Sequence, residues 1–206
     1  MTNRSTPRFP RTLRRFGANT AGVAAIEFAY LAPILILSMF GTFEVARAVL
    51  MHKRFQRVSA MVGDLVAREP QIGTNQTSAS AEMAGIFASA QHVMRPFSTT
   101  TLKLSVQSVR AKSDDANKTK IEWSKGFQGG SEPAVCSNKA LPATGMITQG
   151  NAAIVVEAQY TYTPIFANLI PGFSNAITWN DTITHSPRNS CVDYAGQNCV
   201  LTCSGW

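Results

Sequence analysis

No acidic residue precedes Gly22, and Glu27 is the one charged residue between Val23 and Phe43. The first absence leaves a short leader whose charge is all positive, carried by Arg4, Arg8, Arg11, Arg14 and Arg15. The second leaves a long apolar run. Cysteine does not occur before position 136, so thiol chemistry is confined to the C-terminal part. Catalytic patterns are also missing. No GxSxG, HExxH or Walker sequence occurs, and Gly129-Gly130 lacks the strand–helix context of a phosphate loop. The histidines, His52, His92 and His185, stand apart from one another. No enzyme, cofactor or metal is expected. The formal charge of +7 does not argue for a nucleic-acid partner, because setting aside the five leader arginines lowers it to +2.

The apolar run from Val23 to Phe43 is about 21 residues, roughly 31 Å as a helix. A bilayer core needs about 20 such residues. A buried core helix would carry a polar stripe at every third or fourth position, and none runs from Leu31 to Phe43. A single transmembrane helix is expected. The leader has no apolar core of its own and a signal-peptidase cut after the run is not evident, so the segment reads as a retained anchor rather than a removed signal peptide. The leader arginines favour a cytoplasmic N-terminus, although Arg47, Lys53, Arg54 and Arg57 lie just beyond the other end. Four cysteines on the far side, Cys136, Cys191, Cys199 and Cys203, favour disulfides in an oxidising periplasm. Three pairings are open. Their spacing, C-x7-C-x3-C with a distant fourth, lacks the CxxC pairs of common zinc modules.

Three features of the stretch from Gly22 to Arg47 carry functional weight. Glu27 stands either at a wet interface or, after a cut between Gly22 and Val23, as the fifth residue of the mature chain. Pro33 removes one helical hydrogen bond and should loosen or bend the helix. Glu44 and Arg47 share a helix face. They read as a solvated interfacial pair of small energy, or as a contact with a partner's transmembrane helix.

Ala25, Ile26, Glu27, Phe28 and Ala29, then Pro33, then Gly41, Glu44 and Arg47 form one ordered pattern. This pattern resembles the TadE/TadG-like family of the tight-adherence (Tad, Flp-type) pilus system, with Ala46 where that family often has Gly. The specific resemblance covers Gly22 to Leu50, and the later stretch AIVVEAQYTYTPIF, Ala153 to Phe166, also resembles the later part of TadE-like proteins, less specifically. It implies a bitopic, pilin-like minor pseudopilin of the bacterial inner membrane, with a structural role in assembling an adhesion pilus. It also implies a prepilin peptidase for those members that are cleaved; others keep their N-terminus. The implied partners are inner-membrane lipid, other Tad assembly components and pseudopilins. In assembled pilins the carboxylate equivalent to Glu27 can pair with the α-amine of a neighbouring subunit. A second reading is an uncleaved, membrane-tethered periplasmic binding or accessory module acting through its head. An envelope enzyme is a distant third.

The remaining chain predicts an α+β head. The leader occupies 1–22, the membrane helix 23–43, a helical extension 44–69 and the periplasmic head 70–206. In the extension, Val45, Val49, Met51, Phe55, Val58, Val62, Leu65 and Val66 recur at roughly helical spacing, and Glu69-Pro70 stops it. A polar linker over 71–78 leads to a second helix over 81–95, capped by Ser80, with Glu82 in its first turn. Its apolar face is Met83, Ile86, Phe87, Ala90 and Met94. The period then changes to two. Leu102, Leu104 and Val106 predict a strand, 113–118 a turn, and Ile121 with Trp123 a second strand. A long loop over 126–150 follows. Ile154, Val156, Ala158, Tyr160 and Tyr162 predict the strongest strand, stopped by Pro164, then a helical turn over 166–170 and a last strand over 176–184. The expected fold is a pilin-like head of about four antiparallel strands on a long helix.

Overall fold

A computed structural model describes residues 21–166 and 176–197, together with Cys199 and Cys203. Helix α1 runs unbroken over Ala21–Arg68, passing through Pro33. Among the described residues it is the one helix long and apolar enough to cross a membrane. Its most apolar stretch has a mean hydropathy of 2.0, and none of that stretch is buried by the rest of the chain. Beyond the apolar span the same helix becomes the backbone of the head. Met51, Phe55, Val58, Val62 and Val66 are buried there, at spacings of four, three, four and four. The expected stripe starts too early, since Val45 and Val49 remain half exposed. They lie off the face of α1, carried by Glu44, Ala48 and Met51, that the head covers.

The linker expected over 71–78 is structured. Strand β1, Gln71–Ile72, is followed by helix α2, Gln76–Met94. The helix therefore starts five residues before the expected Ala81, and Asn75 rather than Ser80 is its cap. The Asn75 side chain accepts from the backbone N–H groups of Thr77 and Ser78, both at 3.0 Å, while Ser78 Oγ accepts from Asn75 N–H at 3.2 Å. These reciprocal bonds form a capping box built from Asn and Ser rather than Ser and Glu. Glu82 lies beyond the first turn and accepts from Gly73 N–H at 2.9 Å. Gly73 has φ +61°, and a Cβ there would come within 2.2 Å of Ala79 N, so the turn requires glycine. Ala79, Met83, Phe87, Ala90 and Met94 bury the inner face of α2.

Four antiparallel strands form the sheet: β2 (Lys103–Ala111), β3 (Thr119–Phe127), β4 (Ala152–Tyr162) and β5 (Ile177–His185), in the order β3-β2-β4-β5. Leu104, Val106, Ile154, Val156, Ala158, Tyr160 and Tyr162 point from one face into the core shared with α1 and α2. The other face is covered in part by the segment after β3. There Leu141 and Ile147 pack against Val109, Ile121 and Val155, and against Ala111 and Ala153. Polar groups on this face are paired as well: the Gln107 amide donates to Glu157 at 2.9 Å, and Lys139 bonds the same carboxylate.

One expectation for β3 fails. Ile121 and Trp123 were placed on one face by alternation, yet Ile121 packs on the outer side and Trp123 enters the helix-side core. Ser108 pairs with Trp123 and Val109 with Ile121, so Glu122 is an extra residue in β3. Because β2 pairs with β4 without interruption, the bulge belongs to β3. A bulge inverts alternation beyond it. It also aims Glu122 at Ser108 Oγ, at 2.7 Å, and at Arg110.

The C-terminal segment returns along the far end of the head. Strand β6, Asp193–Tyr194, pairs in parallel with β1, and Trp123 Nε1 donates to Val192 O at 2.9 Å. Two disulfides hold this region. Cys191 joins Cys199, and Cys136 joins Cys203, tying the long β3–β4 segment to the tail. At Gly63 α1 lies close against the sheet. A Cβ there would lie 2.3 Å from the His185 ring and 3.2 Å from Val156 Cγ2. The leader up to residue 20 and most of the helical turn expected over 166–170 lie outside the described residues.

Candidate functional site

The residues singled out in the sequence separate into two groups along α1. Gly22, Val23, Glu27, Phe28 and Pro33 lie on the bare part of the helix, all exposed. Glu27 makes no hydrogen bond or ion pair with any described residue. Glu44 and Arg47 lie where the helix enters the head.

Glu44 is buried, with 1% of its surface exposed. Its carboxylate accepts from the Tyr162 hydroxyl and from the backbone N–H groups of Ile165, at 3.2 Å, and Phe166, at 3.4 Å. Arg47 Nη1 stands 4.0 Å from Glu44 Oε1. The expected solvated pair is therefore corrected. Glu44 clamps the end of β4 onto the helix, and Arg47 supplies a counter-charge at the rim. Burial of a carboxylate is tolerated because three donors and a cation replace its water. The Tyr162 hydroxyl is pushed up to about 12, first by burial and then by the bond to Glu44 and its negative charge. It stays protonated and keeps donating at any ordinary pH.

Aromatic rings complete a collar around this point. The Arg47 guanidinium lies 6.0 Å from the Phe97 ring and 5.8 Å from the Tyr162 ring, and Arg54 lies 5.5 Å from Phe97. Phe97 is thus held by two cations from α1. Arg54 also donates to the carbonyls of Val93 and Arg95 at the end of α2, where a cation suits the helix dipole. Trp179 stacks on Tyr162, with ring centres 5.4 Å apart and planes at 10°. His52, expected to be solvated, is half buried with its ring 4.9 Å from Trp179. Below Glu44, Phe166 lies 4.6 Å from Phe40 and 6.1 Å from Phe43. The arrangement can do no evident covalent chemistry. It couples the direction of the apolar helix to the position of the sheet.

Residues 22–63 match the family described as TadE-like protein. The match begins at the apolar span, runs through Glu44 and Arg47, and ends at Gly63, where the helix touches β4 and β5. No curated protein and no solved structure matches the chain. The matched residues therefore lie on α1, including Glu44 and Arg47, and not on the sheet. Sequence reading located Glu44 and Arg47 but not Tyr162, Phe97, Ile165 or Phe166. Tyr162 is 118 residues from its partner, and no local pattern announces such a contact.

Proposed function

We propose that this chain is a single-span inner-membrane component of Tad pilus assembly, a pseudopilin-like protein carrying its disulfide-bonded head in the periplasm. The observation that carries this reading is the coincidence of the TadE-like match with the one exposed apolar helix among the described residues. A helix that is half membrane span and half core of an α+β head supports a pilin-like part that joins an assembly through its span. Glu27 supports it too: a carboxylate in an apolar run is costly, and its lack of a partner within the described chain leaves it for a neighbouring subunit. The role is structural rather than catalytic. Prepilin peptidase would cut between Gly22 and Val23 and so expose the amine that Glu27 needs.

The test is assembly in a bacterium whose own copy has been deleted, complemented with the natural chain or with Glu27→Ala at equal membrane levels. The natural chain should restore pili and the variant should not. Normal piliation by the deletion strain, or by Glu27→Ala, would overturn the reading.

A further inference from the structure

We propose that the turn leaving β4 is a second membrane anchor. Ile165 and Phe166, together with Ile177 at the start of β5, seat in the edge of the bilayer hydrocarbon beside α1, so that the head rests on the membrane. This inference rests on Val23–Phe43 being a membrane span.

Depth is the first argument. Phe40 lies inside the apolar span, three residues or about 4.5 Å before its end at Phe43. The Phe166 ring sits against it, with centres 4.6 Å apart. Wherever the bilayer surrounds Phe40, it reaches Phe166.

Exposure is the second. Ile165 is 58% exposed and Ile177 37% exposed, on the same end of the head as the half-exposed Phe43. Large apolar side chains on a soluble rim would be costly in water, and next to the span they extend its apolar surface without a break. The sequence agrees, since no charged residue occurs between Glu157 and Asp181.

Backbone chemistry is the third. Irregular chain at membrane depth is tolerated only where its N–H and C=O groups find partners within the protein. Glu44 does this for the N–H groups of Ile165 and Phe166, accepting from both. Next along α1 come Tyr162 with Arg47 beside its ring, then Trp179 against His52. Amphipathic rings interleaved with a cation at this height suit the bilayer interface. The occupant of this surface is therefore lipid, and the contact sets both height and rotation of the head.

The test uses the full chain, oxidised, in phosphatidylethanolamine–phosphatidylglycerol vesicles. Single substitutions Ile165→Cys, Ile177→Cys, Ile34→Cys and Thr182→Cys are each labelled with an environment-sensitive NBD fluorophore. Quenching is read with doxyl-labelled lipid and with aqueous iodide. Labels at 34, 165 and 177 should show blue-shifted emission and more quenching by doxyl lipid than by iodide, and the label at 182 the reverse. If the label at 34 is not quenched by lipid, the span reading fails and the anchor with it. If 34 is quenched by lipid but 165 and 177 answer to iodide, or to neither quencher because protein covers them, the anchor alone is overturned.

Discussion

Replacing Glu44 is the sharpest test of the collar. Glu44→Ala keeps the best helix former at that position, so any loss reports the clamp rather than helix propensity. It strips the acceptor from one buried hydroxyl and two backbone N–H groups. Each unpaired buried donor costs about 1–3 kcal/mol, and water entering the gap recovers part of this. A net loss of about 3–5 kcal/mol is expected, the range for a broken buried pair. Glu44→Gln keeps one oxygen and loses the charge, and should cost about 1–2 kcal/mol. For a head of this size about 2–4 °C of melting temperature follow each kcal/mol. The alanine variant should then melt roughly 6–20 °C below the natural chain, measured by near-ultraviolet circular dichroism in detergent. A cycle with Tyr162→Phe should show coupling of about 0.5–3 kcal/mol. If Glu44→Ala melts within about 0.5 kcal/mol of the natural chain, as a solvent-facing change would, the clamp is refuted.

Three further outcomes are expected. Gly63→Ala drives a methyl group toward the His185 ring and should cost about 1–3 kcal/mol by overpacking; His185→Ala in the same chain should recover part of that loss in a denaturant titration. Removing Cys136–Cys203, which closes a separation of 67 residues, should cost about 4 kcal/mol by chain entropy, and removing Cys191–Cys199, at a separation of 8, about 2.5 kcal/mol; paired Cys→Ser variants compared by thermal melting check the order. Because the Tyr162 hydroxyl is raised from 10.0 to about 12 in the fold, the folded state holds a proton that the unfolded state releases. Its contribution is complete below pH 10 and is lost as pH climbs toward 12, so the alkaline fall in melting temperature should be shallower in Tyr162→Phe.

Much of the architecture was legible wherever a physical constraint acts locally. Pro70 ended α1 because the residue before proline avoids the helical region, and the alternation of Ile154, Val156, Ala158, Tyr160 and Tyr162 placed all five on the core face, where they lie. Local reading failed where two local signals competed. Ser80 looked like a cap, but Asn75 with Ser78 satisfies the free N–H groups of α2 better. In β3, a single extra residue at Glu122 exchanged the faces of Ile121 and Trp123, and nothing in a regular alternation signals a bulge.

The sequence by itself determined the apolar span, the helix that continues it, the switch from helical to strand periodicity and the confinement of cysteine to the chain after the span. Each follows from hydrophobic period, length or count, which are properties of neighbours along the chain. Only the tertiary structure decided which cysteines pair, which face Trp123 occupies and what Glu44 does. Those depend on how separate segments meet in the fold: Cys136 and Cys203 lie 67 residues apart, β3 is read against β2, and Tyr162 is brought to Glu44 across 118 residues. Glutamate beside an apolar helix reads as solvated until the sheet is folded over it, because burial of a charge is decided by what surrounds it and not by what precedes it.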